Sequence, residues 1–537
     1  MTTLRRRWAC CRADRTREGG YVAVLTALIL VVLMGIAAFA VDVGRWYVVG
    51  QQEQRAADAG ALAGVTSLPV DKVTAFKTAR DFTKINGFPD GPNFTTVGTN
   101  VDSKPTRLRV TVSRTVDNIF GPLLGVPKTT ITRTAVADYA GPVPMGSPCN
   151  EYGDDPDPSG HKSTNCAGTG QFWGNVGSQM APKASGDAYQ NEKANNTDYD
   201  ANGYFYSVTL RHNVANLTIE AFDPALIDVG DLCELNNLVG AKTLVATKTV
   251  VTDPSTRYKE GATVPSPYCT GDVRYGGTGE VATQFTVRSA GPNPWDAMSY
   301  PPIGGSCTQT FAGYTGDLKL ALDKTNAKYT SRPDVASNFR RWKTLCTITN
   351  AQAGVYMIQV KTNDVGNNAA SGHNRFSLRA YGSTSTENDT ILVAGFNKMA
   401  MYGNTPAGTS RFYLAKVPTG AKGQLFNINL WDVGDGASSG STIKVLPPVE
   451  TGGTFTGCVG AGVTNGALTN CQISVSSSYN GKWQIIQIPI PPTYSCNDVP
   501  ETGCWVRLEF FYGAGSSPLD TTSWMASIEG DPVRLVE

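Results

Sequence analysis

The chain has 537 residues, 17% of them charged, and a formal net charge of +1. That length exceeds what one hydrophobic core holds and predicts three or four folded units; the lack of a basic excess argues against a nucleic-acid partner. The three histidines, His161, His212 and His373, are far apart in sequence and leave little material for a histidine-built metal site or catalytic triad.

Residues 1–20 form a basic segment in which Arg5, Arg6, Arg7, Arg12, Arg15 and Arg17 outweigh Asp14 and Glu18. Residues 21–40 carry no charge. Twenty residues at the helical rise give about 30 Å, the thickness of a bilayer's hydrocarbon core, so this stretch is expected to be a single transmembrane helix. The arginines before it place the N-terminus in the cytoplasm and the C-terminal body outside the cell membrane. Ala38-Phe39-Ala40 would also suit a signal-peptidase site, the competing reading.

Helix formers continue through residues 51–64, and Ala56, Ala57, Gly60 and Gly64 make a small-residue face. Such a face admits a close partner helix, here expected from another envelope protein; the alternative is a helix lying on its own domain.

The residues around this helix carry a resemblance. Arg17-Glu18-Gly19 precedes the apolar span, Val41-Asp42-Val43-Gly44-Arg45 follows it, and Gln54-Arg55-Ala56-Ala57-Asp58-Ala59-Gly60-Ala61-Leu62-Ala63-Gly64 comes next. This order resembles the N-terminal domain of TadG-like proteins of Flp (tight-adherence) pilus assembly. A weaker likeness extends to about Tyr139, through Phe120-Gly121-Pro122-Leu123-Leu124-Gly125 and Ala135-Val136-Ala137. The resemblance implies a membrane-anchored envelope protein near a pilus or secretion apparatus. Leu25 stands where prepilin-type processing after Gly20 would need a glutamate, and no Asp-x-Ser-x-Ser follows an apolar strand as a von Willebrand A domain would require.

Residues 41–140 are expected to form the juxtamembrane helix and a small α+β, pilin-like region. The stripe Val73, Phe76, Ala79, Phe82 predicts a helix over residues 71–87, stopped at Asn86-Gly87. Residues 107–116 alternate as a half-buried strand does, and residues 129–137 are its expected partner across a turn at 121–127. Residues 141–170, dense in Pro, Gly and Asp, read as a linker whose Asp154-Asp155-Pro156-Asp157-Pro158 patch suits a solvated loop or, less readily, Ca²⁺. From residue 171 the pattern is all β: alternating runs around Tyr204, Leu217, Phe285, Tyr356 and Phe376, closely punctuated by turn residues.

A faint repeat links Phe205-Tyr206, Leu217-Thr218-Ile219 and Phe222-Asp223 to Phe412-Tyr413, Leu425 to Leu430 and Trp431-Asp432. The expected fold is therefore mainly β: a transmembrane helix, a small α+β region, then two jelly-roll-like β-sandwich domains at 171–395 and 396–537.

Ten cysteines follow the apolar span, without metal-type spacing, and predict disulfides in an oxidising exterior. The simplest pairing joins neighbours: Cys149 with Cys166, Cys233 with Cys269, Cys307 with Cys346, Cys458 with Cys471, and Cys496 with Cys504. Asp223, Asp228 and Asp231 in one copy of the repeat, and Asp432 and Asp435 in the other, flank glycines after a strand. They are candidate ligands for a structural Ca²⁺, and no other cofactor is expected; the plainer reading is that they make the turns, with no cofactor at all. Trp173, Trp295, Trp431, Trp483 and Trp505 could stack on a surface glycan if exposed. No nucleophile elbow or phosphate loop is present. The expected function is non-catalytic assistance in the assembly or display of a pilus. A carbohydrate- or protein-binding adhesion receptor is the alternative, and a secreted glycoside hydrolase a weaker one.

Overall fold

The computed structural model describes residues 18–537 except 69–71, 92–94, 102–106, 140–141, 157–159, 167–171, 225–280, 290–295, 315–320, 322–323, 325–326, 363–371, 405–407, 498–502, 515–518, 530–532 and 537. It divides into two compact units, residues 1–139 with 533–537, and residues 140–532.

The first unit begins with α1, Glu18–Val65, a single helix of 48 residues. Its apolar first half is exposed and long enough to cross a membrane. Its second half packs on α2, Lys72–Ile85, and on a sheet of β1, Thr95–Val101, β2, Arg107–Asp117, and β3, Lys128–Tyr139. Gly87 stops α2 with φ +90, as its sequence predicts. Both β1 and β3 run antiparallel to β2, and Leu108, Val110 and Val112 point inward from it while Thr111, Ser113 and Thr115 bond outward to Thr134, Thr132 and Thr130 of β3. The strand Val533–Leu535 completes this sheet, with Val533 opposite Tyr139. The chain thus leaves the first unit and re-enters it at paired positions, and the second unit is an insertion in sequence between two neighbouring strands.

The second unit is two antiparallel sheets over one core. In the first sheet the strands follow the order Thr308–Phe311, Thr283–Arg288, Gly354–Lys361, Tyr204–Leu210, Ile391–Phe396, Pro144–Met145, Gly408–Lys416, Trp505–Tyr512, Thr442–Leu446 and Gln472–Ser474. In the second they run Trp342–Ala351, Val214–Phe222, His373–Tyr381, Phe172–Gly177, Lys398–Asn404, Leu519–Ile528, Leu425–Trp431, Trp483–Pro489 and Val459–Gly462. Aromatic edges meet between the sheets: Tyr206 on Phe376 at 5.6 Å and Phe412 on Trp524 at 6.1 Å.

The repeat is structural. Tyr204–Leu210 pairs with Gly354–Lys361 as Gly408–Lys416 pairs with Trp505–Tyr512. Val214–Phe222 lies between Trp342–Ala351 and His373–Tyr381 as Leu425–Trp431 lies between Trp483–Pro489 and Leu519–Ile528.

Three boundaries differ from expectation. Residues 141–170 are not merely a linker: Pro144–Met145 bridges strands of both copies, Glu151–Tyr152 pairs with His373–Tyr381, and Tyr152 is fully buried. The proline and glycine density hid these short strands. The copies do not separate at 395/396, since Phe172–Gly177 and Pro144–Met145 knit them edge to edge and one continuous core fills both. That shared core is why two units form instead of three or four. The last strand belongs to the first unit rather than to the second sandwich.

Candidate functional site

The region where α1 leaves its apolar half is held by polar contacts from far along the chain. Asp42 is 2% exposed. Its Oδ1 accepts from the backbone N–H of Ile119 at 2.8 Å, and its Oδ2 accepts from those of Phe120 at 3.0 Å and Gly121 at 2.8 Å. These donors open the 3₁₀ turn Gly121–Leu124 at the tip of the β2–β3 hairpin. The first N–H groups of a helical turn have no partner within it, and a carboxylate satisfies them with charge-assisted bonds.

Two further residues fix the same hairpin. Arg45 Nη1 donates to the Asp117 carbonyl at 2.9 Å, and Trp46 Nε1 donates to Asn118 Oδ1 at 2.8 Å. Asn118 in turn donates to the Val126 carbonyl at 2.8 Å and to Thr129 Oγ1 at 2.9 Å. A Cβ on Gly121 would lie 2.3 Å from the Val126 carbonyl, so only glycine fits there. Below this clamp Gly35, Ala38 and Phe39 of α1 face Phe120, Leu124 and Val126 across an apolar cleft of about 150 Å³.

Higher on α1, Ala56 and Ala57 are fully buried. An added Cβ on Gly60 would meet Thr83 Cγ2 at 2.8 Å and the Ala79 carbonyl at 3.0 Å; on Gly64 it would meet the Ala75 carbonyl and Leu108 Cδ2, both at 2.6 Å. The small-residue face expected to receive a partner's helix is thus occupied by the chain's own α2 and β2. The correction has a simple cause: α2 supplies Ala75 and Ala79, small residues that match small residues. Glu53, about one turn before Ala56 and Ala57, is fully buried with neither carboxylate oxygen hydrogen-bonded. Burial pushes its carboxyl up to about 7, against the pull of Arg133 and Arg114.

Residues 20–67 match the family model described as "Putative Flp pilus-assembly TadE/G-like". No curated protein matches the chain. Asp42, Arg45, Trp46 and the Ala/Gly face all lie in this TadE/G-like segment. Their contact partners, residues 75–83 and 108–121, lie outside it.

Elsewhere the candidate residues are placed as follows. Disulfides join Cys149 to Cys166, Cys307 to Cys346, Cys458 to Cys471 and Cys496 to Cys504. Cys233, Cys269, Asp228, Asp231 and Trp295 lie outside the described residues. Asp223 is buried, and its carbonyl accepts from the Arg340 N–H at 2.7 Å. At the equivalent corner Asp432 has φ +59, and its Oδ1 accepts from the Gly481 N–H. Asp520, absent from the sequence-based set because it lies 88 residues from Asp432 in the chain, joins this corner: its Oδ2 accepts from the Gly434 N–H at 2.7 Å. Asp432 Oδ2 and Asp520 Oδ1 are buried without hydrogen-bond partners. Burial, and then the Asp435 charge, push the Asp520 carboxyl well up.

Trp173 and Trp505 are buried to 1% exposure, which removes them as sugar platforms; Trp431 is also buried, its Nε1 donating to the Lys183 carbonyl at 3.0 Å. One polar row escaped the sequence reading. Arg379 lies between Glu151 and Glu220 on adjacent strands, donates to Glu220 at 2.8 Å and sits 4.1 Å over Trp342. Only the strand register, invisible in sequence, brings these residues together.

Proposed function

We propose that this chain is an extracytoplasmic protein, held in the cell membrane by the first half of α1, that assists the assembly or surface display of a Flp-type pilus without catalysing a reaction. The observation that carries this is the coincidence of the exposed apolar half of α1 with the TadE/G-like match over residues 20–67. The arginine-rich segment before it supports a cytoplasmic N-terminus, and the disulfides of the second unit support an oxidising exterior. The partners are other pilus or envelope proteins. Since Ala56, Ala57, Gly60 and Gly64 are used internally, such partners meet α1 below residue 50 or the surfaces of the second unit.

The test is deletion of the gene in its own host. The expected result is loss of Flp-type surface fibres, restored by the full chain and not by residues 140–532 exported without α1. Unchanged fibre number after deletion would contradict the proposal.

For the acidic corner we propose a bound Ca²⁺ held by Asp432 and Asp520, the two carboxylates there with an orphaned buried oxygen. Two orphaned buried carboxylate oxygens support it, since a hard cation would satisfy both. Calcium is expected to raise the thermal transition of the wild-type chain and to leave Asp520→Asn unmoved; no calcium-dependent shift in wild type would contradict it.

A further inference from the structure

We propose that the tip of the β2–β3 hairpin, residues 119–126, is a second membrane contact that dips into the outer leaflet beside α1. The inference rests on the anchor reading of residues 21–40.

Position is the first argument. The cleft brings the tip against Gly35, Ala38 and Phe39, the last turns of the apolar span. If that span fills the hydrocarbon core, Gly35 lies about 8 Å inside its outer boundary at the helical rise. The tip therefore lies at the depth of acyl chains.

Chemistry is the second. Leu123 is 84% exposed and Leu124 73%, with Ile119 and Val126 about half exposed beside them. No charged residue lies between Asp117 and Lys128, which pair with each other at 3.4 Å at the hairpin's base. Arg45, Trp46 and Tyr47 mark the same level on α1, a cation and two aromatics of the kind that collect at the headgroup boundary.

Backbone pairing is the third, and it separates this tip from an ordinary exposed turn. Irregular backbone is tolerated near lipid only when its polar groups are satisfied internally. Asp42 takes the N–H groups of Ile119, Phe120 and Gly121; Leu123, Gly125 and Val126 donate to the carbonyls of Phe120, Pro122 and Gly121; Pro122 has no N–H. Asp42 thus pairs the three donors at the start of the tip, as a turn that enters an apolar medium requires.

The test uses the full chain in vesicles of phosphatidylcholine and phosphatidylglycerol carrying a diazirine-tagged acyl chain, with adducts mapped by mass spectrometry after irradiation. Adducts are expected on residues 21–40 and on 119–126, and not on Val449, an exposed apolar residue of the second unit. The double variant Leu123→Asp, Leu124→Asp is expected to lose the tip adducts while keeping those of the helix. Helix adducts without tip adducts in wild type would overturn the inference and leave the anchor standing, because the tip would then face protein or water. Adducts on neither segment would overturn the anchor reading and this inference with it.

Discussion

Asp42 is where one side chain decides the most structure. It is the only carboxylate in a stretch that otherwise passes from apolar helix to polar helix, and it takes three backbone donors from a turn 77 to 79 residues away. Asp42→Ala leaves those three donors without their acceptor and is expected to destabilise the first unit, read as an earlier denaturant transition of the chain in detergent. Glu53 makes the opposite kind of contribution. Its folded carboxyl titrates near 7 against an ordinary 4.5, so between those values the folded chain keeps a proton that the unfolded chain has lost. Stability from this group therefore falls as pH rises through that window. Glu53→Gln is expected to melt later than wild type at pH 8, with the difference closing towards pH 4.5. A constant difference across the range would show that burial does not shift Glu53.

Among the elements, α1 tests the claim that its small residues are internal packing. Gly64 and Gly44 lie on the same helix, yet a Cβ at Gly64 meets the Ala75 carbonyl at 2.6 Å while one at Gly44 meets nothing within 4 Å. Gly64→Ala is expected to cost about 1–3 kcal/mol by overpacking, whereas Gly44→Ala should be neutral or stabilising by up to about 1 kcal/mol through helix propensity. Equal effects in thermal melts would mean that the α1–α2 seam is not tight. These elements were well read from sequence. The helix over 71–87 lies where the sequence places it, but its apolar stripe is not the buried face, since Val73 and Phe82 are exposed and Ala75, Ala79 and Thr83 are buried. The alternating strand at 107–116 announces itself by period, because it buries one face. The short strands Pro144–Met145 and Glu151–Tyr152 did not, since two residues have no period. The destination of Asp42's carboxylate was equally hidden: a side chain that bonds backbone donors needs no particular residue type at the other end.

At the scale of the whole chain, two sequence copies share a pair of sheets. The repeat could be read because matched strands carry matched aromatics, but its register could not: Tyr206 and Phe412 face the shared core, while Phe205 and Tyr413 lie on the opposite faces of their strands. Their fusion could not, because it runs through strand edges, and edge pairing is made by main-chain groups that every residue carries. The disulfides lie within this body. Replacing Cys307 and Cys346 by serine is expected to lower its stability by about 2–4 kcal/mol, visible as an earlier thermal transition; an unchanged transition would mean the bridge adds nothing to the sheet pairing around it.

The anchor is the claim on which the rest depends, and fractionation of cells expressing the full chain, followed by intact mass of the recovered species, tests it most directly. The account predicts a chain that stays with the membrane after an alkaline wash and retains the residues before Tyr21. A soluble species beginning at Val41 would contradict it: residues 21–40 would be a cleaved export signal, and neither the hairpin tip nor Asp42 would have a membrane to meet.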